Sequence, residues 1–246
     1  MLEVLGVGGG IYRNMMSRAC IVILGMHRSG TSALAGVLNI LGVDFGHNLL
    51  PPSPYNPKGY FENAEIVDIN KILLKDLNAR WDVPAEFPPH WWTKKNFQER
   101  KAGIKTILNG EFADVPIFGI KDPRLCLVLP LYLEIFKEMN IRPCLIINRR
   151  KRTEIAQSLK VRNNFSLEKV FALCDWYEEQ LQPAIADQEF IEINFDDLLN
   201  APRAVTARIE KIFQLRLKDF RTAQGEVADF LSSELKHHNS DGDKAV

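Results

Sequence analysis

The residues with the clearest chemical potential lie in one stretch, Gly25-Met26-His27-Arg28-Ser29-Gly30-Thr31-Ser32. Two glycines, a guanidinium and three hydroxyls on one turn suit an anion. Backbone N–H groups converge where glycine frees the chain, and a following helix adds the positive end of its dipole. The flanking residues predict those elements. The apolar run Ile21 to Leu24 reads as a buried strand. Leu34, Val37, Leu38 and Leu41 recur at helical spacing, with Gly42 placed to end the helix.

The loop departs from the nucleotide-triphosphate loop, in which two glycines five apart are followed by Lys and then Ser or Thr. Gly25 and Gly30 have that spacing and Ser32 stands at the Ser/Thr position, but Thr31 replaces the lysine. The cation has moved into the loop as Arg28. Such a loop holds a phosphate without the usual lysine on a β/γ pair. The plain alternative is a strand-to-helix turn that binds nothing, and the clustering of Arg28, Ser29, Thr31 and Ser32 argues against it.

Two further clusters follow short apolar runs. Pro116 to Ile120 predicts a strand ending in Lys121-Asp122-Pro123-Arg124, and Cys144 to Ile147 predicts one ending in Asn148-Arg149-Arg150-Lys151-Arg152. In open α/β sheets ligands sit at the carboxyl ends of strands. The second cluster precedes a helix carrying Ser158, with Thr153 as a cap, and reads as a second anion site rather than a solvated edge. A ligand touching both anion sites carries phosphates at two separate places. The strands CLIIN and FIEIN end in Asn148 and Asn194, so neither supplies an Asp to hold Mg²⁺, as phosphoryl transfer from a nucleoside triphosphate usually requires.

The elements that must position these residues alternate. Helices are predicted from Ala64, capped by Asn63, to about Ala79; over 96–109; from Leu127 to Met139; after Thr153; from Ser166, a partial cap, to about Gln182; from Arg203 to Phe213; and from Ala223 to Leu235. Phe190 to Ile193 predicts a last strand. This is an α/β pattern of the P-loop type: a three-layer sandwich, a mainly parallel sheet with helices on both faces. Residues 1–18 read as a flexible extension, 19–236 as a single domain, and 237–246 as a disordered tail. The run Gly6-Val7-Gly8-Gly9-Gly10 lacks the flanking strand and helix of a dinucleotide site. His237-His238 has no further ligands nearby for a metal.

Two long irregular stretches stand out. Residues 43–62 contain four prolines with Tyr55, Tyr60 and Phe61; residues 81–92, WDVPAEFPPHWW, carry Trp81, Trp91 and Trp92. Loops of this length are usually functional or disordered. The second either packs down onto the domain or forms an aromatic wall for a sugar or aryl acceptor.

Composition narrows the class. The 246 residues are 46% hydrophobic and 25% charged, with 31 basic and 31 acidic residues. That is an ordinary globular balance, without the basic excess of a general nucleic-acid binder. No apolar run reaches transmembrane length, and the N-terminus lacks the long apolar core of a signal peptide. The four widely spaced cysteines in apolar contexts suggest buried thiols in a reducing, cytoplasmic compartment.

Taken together these motifs resemble the sulfotransferase superfamily that uses 3′-phosphoadenosine-5′-phosphosulfate (PAPS). Gly25 to Leu34 is similar to its 5′-phosphosulfate loop, with Arg28 where many members have Lys. Arg150 followed eight residues later by Ser158 matches its 3′-phosphate pair, and Lys121-Asp122-Pro123 resembles the strand-end motif of protein-tyrosine and bacterial members. NPKGYFEN (56–63), the Trp81–Trp91 loop, KDPR and NFDDLLNAP (194–202) occur in the order of a bacterial sulfotransferase family. Many members read Arg-His-Pro at Arg150-Lys151-Arg152 and Arg-Tyr-Glu-Asp-Leu near Ile193 to Leu198.

The resemblance implies transfer of a sulfuryl group from PAPS to a hydroxyl or amine of a glycan or small molecule, leaving adenosine 3′,5′-bisphosphate, with no metal. It implies Arg28 at the leaving oxygen, Lys121 as second cation, the backbone around Ser29, Gly30, Thr31 and Ser32 on the 5′-phosphate, and Arg150 and Ser158 on the 3′-phosphate. For the base, cytosolic members use a His two residues after the strand-end Lys, and here that position is Pro123. Glu62 is the expected base, as in related carbohydrate and protein sulfotransferases, and Asp122 its rival. His27 is expected to point away from the loop. The alternatives are a P-loop small-molecule kinase, disfavoured by Thr31, and a non-catalytic nucleotide-binding relative.

Overall fold

The computed structural model describes residues 18–239, with side chains through Ser232. The glycine run and the rest of the expected N-terminal extension up to residue 17, and residues 240–246 of the expected tail, lie outside the described residues. Four parallel strands form one sheet in the order β2-β1-β3-β4: β1 (Ala19–Leu24), β2 (Ile117–Lys121), β3 (Arg142–Arg149) and β4 (Phe190–Asn194). Arg18, the last residue of the expected extension, is already tied in, its carbonyl accepting from Arg142 N at 2.8 Å.

β1 is buried along its whole length and its side chains alternate between two cores. Cys20, Val22 and Leu24 pack on one face with α2 (Ala64–Asp76), α3 (Gln98–Phe112), α4 (Leu125–Glu138), α5 (Arg152–Asn163) and α6 (Leu167–Ile185). Ala19, Ile21 and Ile23 pack on the other with α1 (Thr31–Ile40), α7 (Phe195–Asn200), α8 (Pro202–Phe213) and α9 (Phe220–Asn239). The period-2 geometry of a strand thus supplies both interfaces of a three-layer sandwich. Because all four strands run parallel, their carboxyl ends share one edge. The chain leaves β1 for β2 on one side and then crosses to β3 on the other, which opens a crevice at the end of β1.

Several boundaries differ from the predicted ones. α5 begins at Arg152 with Lys151 as the capping residue, so Thr153 is inside the helix and does not cap it. α9 starts at Phe220 rather than Ala223, because Asp219 Oδ1 accepts from Arg221 N at 3.0 Å and so opens the helix earlier. It also runs past Leu235 to Asn239, three residues into the expected tail. Asn63 and Ser166 cap as predicted, accepting from Glu65 and Ile66 N and from Lys169 N respectively.

Candidate active site

The loop after β1 owes its shape to close approaches that only some residues permit. Gly25 has φ 151°, and a Cβ there would lie 2.9 Å from the Asn148 carbonyl oxygen. Its N–H donates to Cys126 Sγ at 3.0 Å. Arg28 has φ 71°, uncommon for a residue with a side chain, and Gly30 (φ 90°) opens α1 with its α-carbon against the Phe195 ring. Asn148, expected from the sequence only to be unable to hold a metal, donates its side-chain amide to the Ser29 carbonyl and so ties the loop to β3. The first N–H groups of α1 lack intrahelical acceptors by the geometry of any helix, and its first turn has no acidic residue. That is a cradle for an anion.

All four strand ends contribute to a cavity of about 410 Å³, within the usual range for small-molecule sites. His27, Arg28, Gly30, Thr31 and Ser32 come from the loop after β1, Lys121 and Pro123 from the end of β2, Arg150 from the end of β3 and Phe195 from the end of β4; α5 adds Glu154, Ser158 and Arg162. Of the residues picked out from the sequence for the cofactor and the chemistry, Ser29 and the rival base Asp122 do not line it. The Ser29 side chain is buried toward a smaller hollow beside Asn148 and Cys126, and its N–H closes the turn onto the Met26 carbonyl at 3.1 Å. Ser29 therefore shapes the loop.

The two anion sites inferred from distant parts of the sequence are contiguous. Arg150 Nη1 donates to the Arg28 carbonyl at 2.9 Å, and Arg28 Nε donates to Ser158 Oγ at 2.6 Å. Arg150 also pairs with Glu154 at 3.0 Å, one helical turn along, and lies 4.9 Å above the Phe195 ring. β3 sits directly beside β1, so residues more than a hundred positions apart meet.

Glu62 and Lys121 form an ion pair at 2.6 Å and are 5% and 3% exposed. Burial pushes the Glu62 carboxyl above the ordinary carboxylate range; Lys121 opposes that shift and the nearby Asp122 adds to it. Glu62 is held by its neighbour. Phe61 takes a left-handed conformation (φ 55°), costly for an aromatic residue, and its ring is fixed between Phe45 and Phe230 at centroid distances of 6.0 and 6.2 Å. The stretch 43–62 is tied down elsewhere by Asn56 Nδ2 on Ser32 Oγ at 2.9 Å, by Leu50 N on the Glu62 carbonyl at 2.8 Å, and by Lys58 Nζ on the Phe230 carbonyl. Reading the sequence noted Phe61 only as an aromatic of this loop and did not single out Asn56 or Arg162.

Asp122 is fully buried and its carboxylate is taken up by structure. One oxygen accepts from Asn70 Nδ2 at 2.9 Å; the other accepts from Arg124 N at 3.0 Å and Arg124 Nη1 at 2.8 Å. Tyr132 OH completes the network on Asn70 Oδ1 at 2.8 Å.

One expectation needs correction. His27 does not turn away from the site. With Arg28 in the left-handed region the imidazole lies on the cavity wall, 4.3 Å from the Trp81 ring and 6.4 Å from Tyr177. Burial, with Arg124, Arg162, Lys121 and Arg28 nearby, holds its pKa well below the ordinary value, so it is neutral. Of the two readings of residues 81–92, packing onto the domain is the one that fits, since none of these residues lines this cavity. Trp91 is a core residue, 3% exposed, packed on Phe97, while Trp81 lies behind His27 and stacks on Phe165. Residues 87–92 border a separate apolar groove of about 670 Å³ with Leu127, Pro130 and Phe136. Of the two long loops only 43–62 reaches the cavity, through Pro54, Tyr55, Asn56, Pro57, Tyr60 and Glu62.

All four cysteines are buried free thiols. Among the described residues no cluster of three or more His, Cys, Asp or Glu could hold a metal ion, and no helix is long and apolar enough to cross a membrane.

No family model matches the chain, and no curated protein matches it. Among solved structures it is similar to the sulfotransferase STF1 from Mycobacterium tuberculosis H37Rv, with TM-score 0.49 and 14% identity over 88% of this chain and 71% of that one. It is also similar to the sulfotransferase domain from the curacin biosynthetic pathway, with TM-score 0.47 and 15% identity over 82% of this chain and 76% of that one.

Proposed function

We propose that the protein is a PAPS-dependent sulfotransferase acting on a hydroxyl or amine. One observation carries the reading: His27, Arg28 and Gly30 to Ser32 of the loop, the pair Arg150 and Ser158, and the ion pair Glu62–Lys121 all line a single cavity at the carboxyl ends of the strands. The residues fit a ligand with two separated anions. The helix start and Arg28 suit a 5′-phosphosulfate, and Arg150 with Ser158 suits a 3′-phosphate.

PAPS would supply the sulfuryl group, and adenosine 3′,5′-bisphosphate would leave. Glu62 takes the proton from the acceptor hydroxyl or amine as the acceptor atom bonds to sulfur. The sulfur–oxygen bond to the 5′-phosphate breaks with its electron pair on the phosphate oxygen, where Arg28 and Lys121 stabilise the charge. A buried carboxylate raised above its ordinary range is a better base near neutral pH than an exposed one. The contact with Lys121 keeps it ionised. Asp122, with both oxygens engaged, positions the turn that carries Lys121 and Arg124.

Calorimetry in the absence of divalent cations tests the reading. Adenosine 3′,5′-bisphosphate should bind at least about tenfold more tightly than AMP, the increment of one good charge-assisted contact to the 3′-phosphate. Equal affinities would reject it. Turnover of Mg-ATP would favour a kinase instead. Binding without transfer of labelled sulfate from PAPS to any acceptor in a broad screen would favour a non-catalytic relative.

A further inference from the structure

Arg162 is the cavity cation that the proposed cofactor contacts do not use. It lies on α5 one turn beyond Ser158, so both residues face the cavity. The other cavity cations near the reacting groups have carboxylate partners or proposed cofactor contacts: Lys121 with Glu62, Arg150 with Glu154, and Arg28 on Ser158 and the Tyr55 carbonyl. Arg162 has no ion-pair partner among the described residues. Its one hydrogen bond donates from Nε to the neighbouring Asn163 Oδ1 at 2.6 Å. Its guanidinium lies 5.3 Å above the Trp81 ring, and Trp81 is itself clamped between His27 and Phe165. A planar cation stacked on a fixed aromatic ring is pre-organised for an oxyanion.

Arg162 lines the cavity together with the proposed base and the proposed cofactor contacts. Burial and the charges of Arg28 and Arg124 work against its charge, while Tyr60 and Glu62 act in its favour. Arg162 lines the same cavity as Glu62, the proposed base, where an acceptor must present its hydroxyl. The rim beside it is apolar: Tyr55 and Val161 line the mouth and are 50% and 71% exposed.

Resting on the sulfotransferase reading, we infer that the acceptor is anionic: a hydroxylated molecule with an apolar body whose carboxylate, sulfate or phosphate pairs with Arg162 while its hydroxyl faces Glu62. In this reading Trp81 serves the acceptor indirectly, as the platform under Arg162.

The test measures binding to the full chain saturated with adenosine 3′,5′-bisphosphate, by calorimetry. The probes are 4-hydroxyphenylacetate and its neutral amide, with 4-hydroxyphenyl sulfate and 4-hydroxyphenyl phosphate as further arms to identify the preferred anion. At least one anionic probe should bind about tenfold or more tightly than the amide. Arg162→Gln should remove that preference and Arg162→Lys should restore part of it, while the affinity of both variants for adenosine 3′,5′-bisphosphate stays within about twofold of the parent. No preference for any anion, or an unaltered preference in Arg162→Gln, overturns the inference. So does loss of bisphosphate affinity in Arg162→Gln, which would place Arg162 on the cofactor. If the parent binds the bisphosphate no better than AMP, the sulfotransferase reading fails by itself. The anion preference, measured without nucleotide, then still decides whether Arg162 holds an anion.

Discussion

Glu62 and Asp122 are both buried carboxylates beside the end of β2, yet their surroundings assign them different work. Glu62 faces the cavity with one strong partner, Lys121. Asp122 faces inward with both oxygens hydrogen-bonded to Asn70 and Arg124. Engaging both oxygens of a buried carboxylate makes it a brace, because a proton it took would compete with those bonds. Leaving one open toward a cavity makes it available for proton transfer. Burial alone therefore does not mark a catalytic acid; the number of remaining acceptor sites does.

Breaking the pair one member at a time should expose the difference. The largest effect is expected for Glu62→Gln, which keeps an acceptor for Lys121 but removes the proposed base. Transfer should fall on the order of 100- to 10,000-fold, with affinity for adenosine 3′,5′-bisphosphate retained, as measured by initial rates and calorimetry. A near-normal rate would move the base elsewhere. Asp122→Ala should instead act on stability, lowering it by about 3–5 kcal/mol in urea unfolding by leaving Arg124 buried without its carboxylate. The loss should exceed that of Glu62→Gln.

The pH dependence sharpens the contrast. kcat/KM should rise with pH as Glu62 loses its proton, and burial puts the midpoint of that limb above the ordinary value of 4.5. A limb centred at or below 4.5 would argue against Glu62. The smallest effect belongs to His27. Its folded-state pKa is depressed, so below pH 6.5 the unfolded chain takes up a proton that the folded chain does not. Stability is therefore complete above pH 6.5 and declines on acidification, by at most about 1.4 kcal/mol per pH unit from this residue. Denaturant midpoints at several pH values should show that slope reduced in His27→Gln.

The two long loops show where sequence reasoning stops. Residues 43–62 and 81–92 share prolines and aromatics, and composition offers no way to rank them. In the fold one is fastened to α1 and α9 and delivers Glu62, whereas the other inserts Trp91 into the core. The distinction lies in what each loop meets, and those partners, Ser32 and Phe230 for the first and α4 for the second, are remote in sequence. Phe61 was equally illegible, since its strained backbone is paid for by rings from two other segments.

The chain by itself determined the strand, loop and helix around Gly25 to Ser32, the parallel α/β order, and the strand-end clusters at Lys121 and Arg150. These rest on local spacing: period-2 and period-3.6 apolar patterns and glycines where φ must be positive. Only the tertiary structure decided that β3 lies against β1, so that Arg28 touches Ser158 and Arg150 holds the Arg28 carbonyl. It alone brought Arg162 and Glu62 into one cavity and engaged both Asp122 oxygens. Those facts depend on long-range packing and on counting partners, which one-dimensional spacing does not encode.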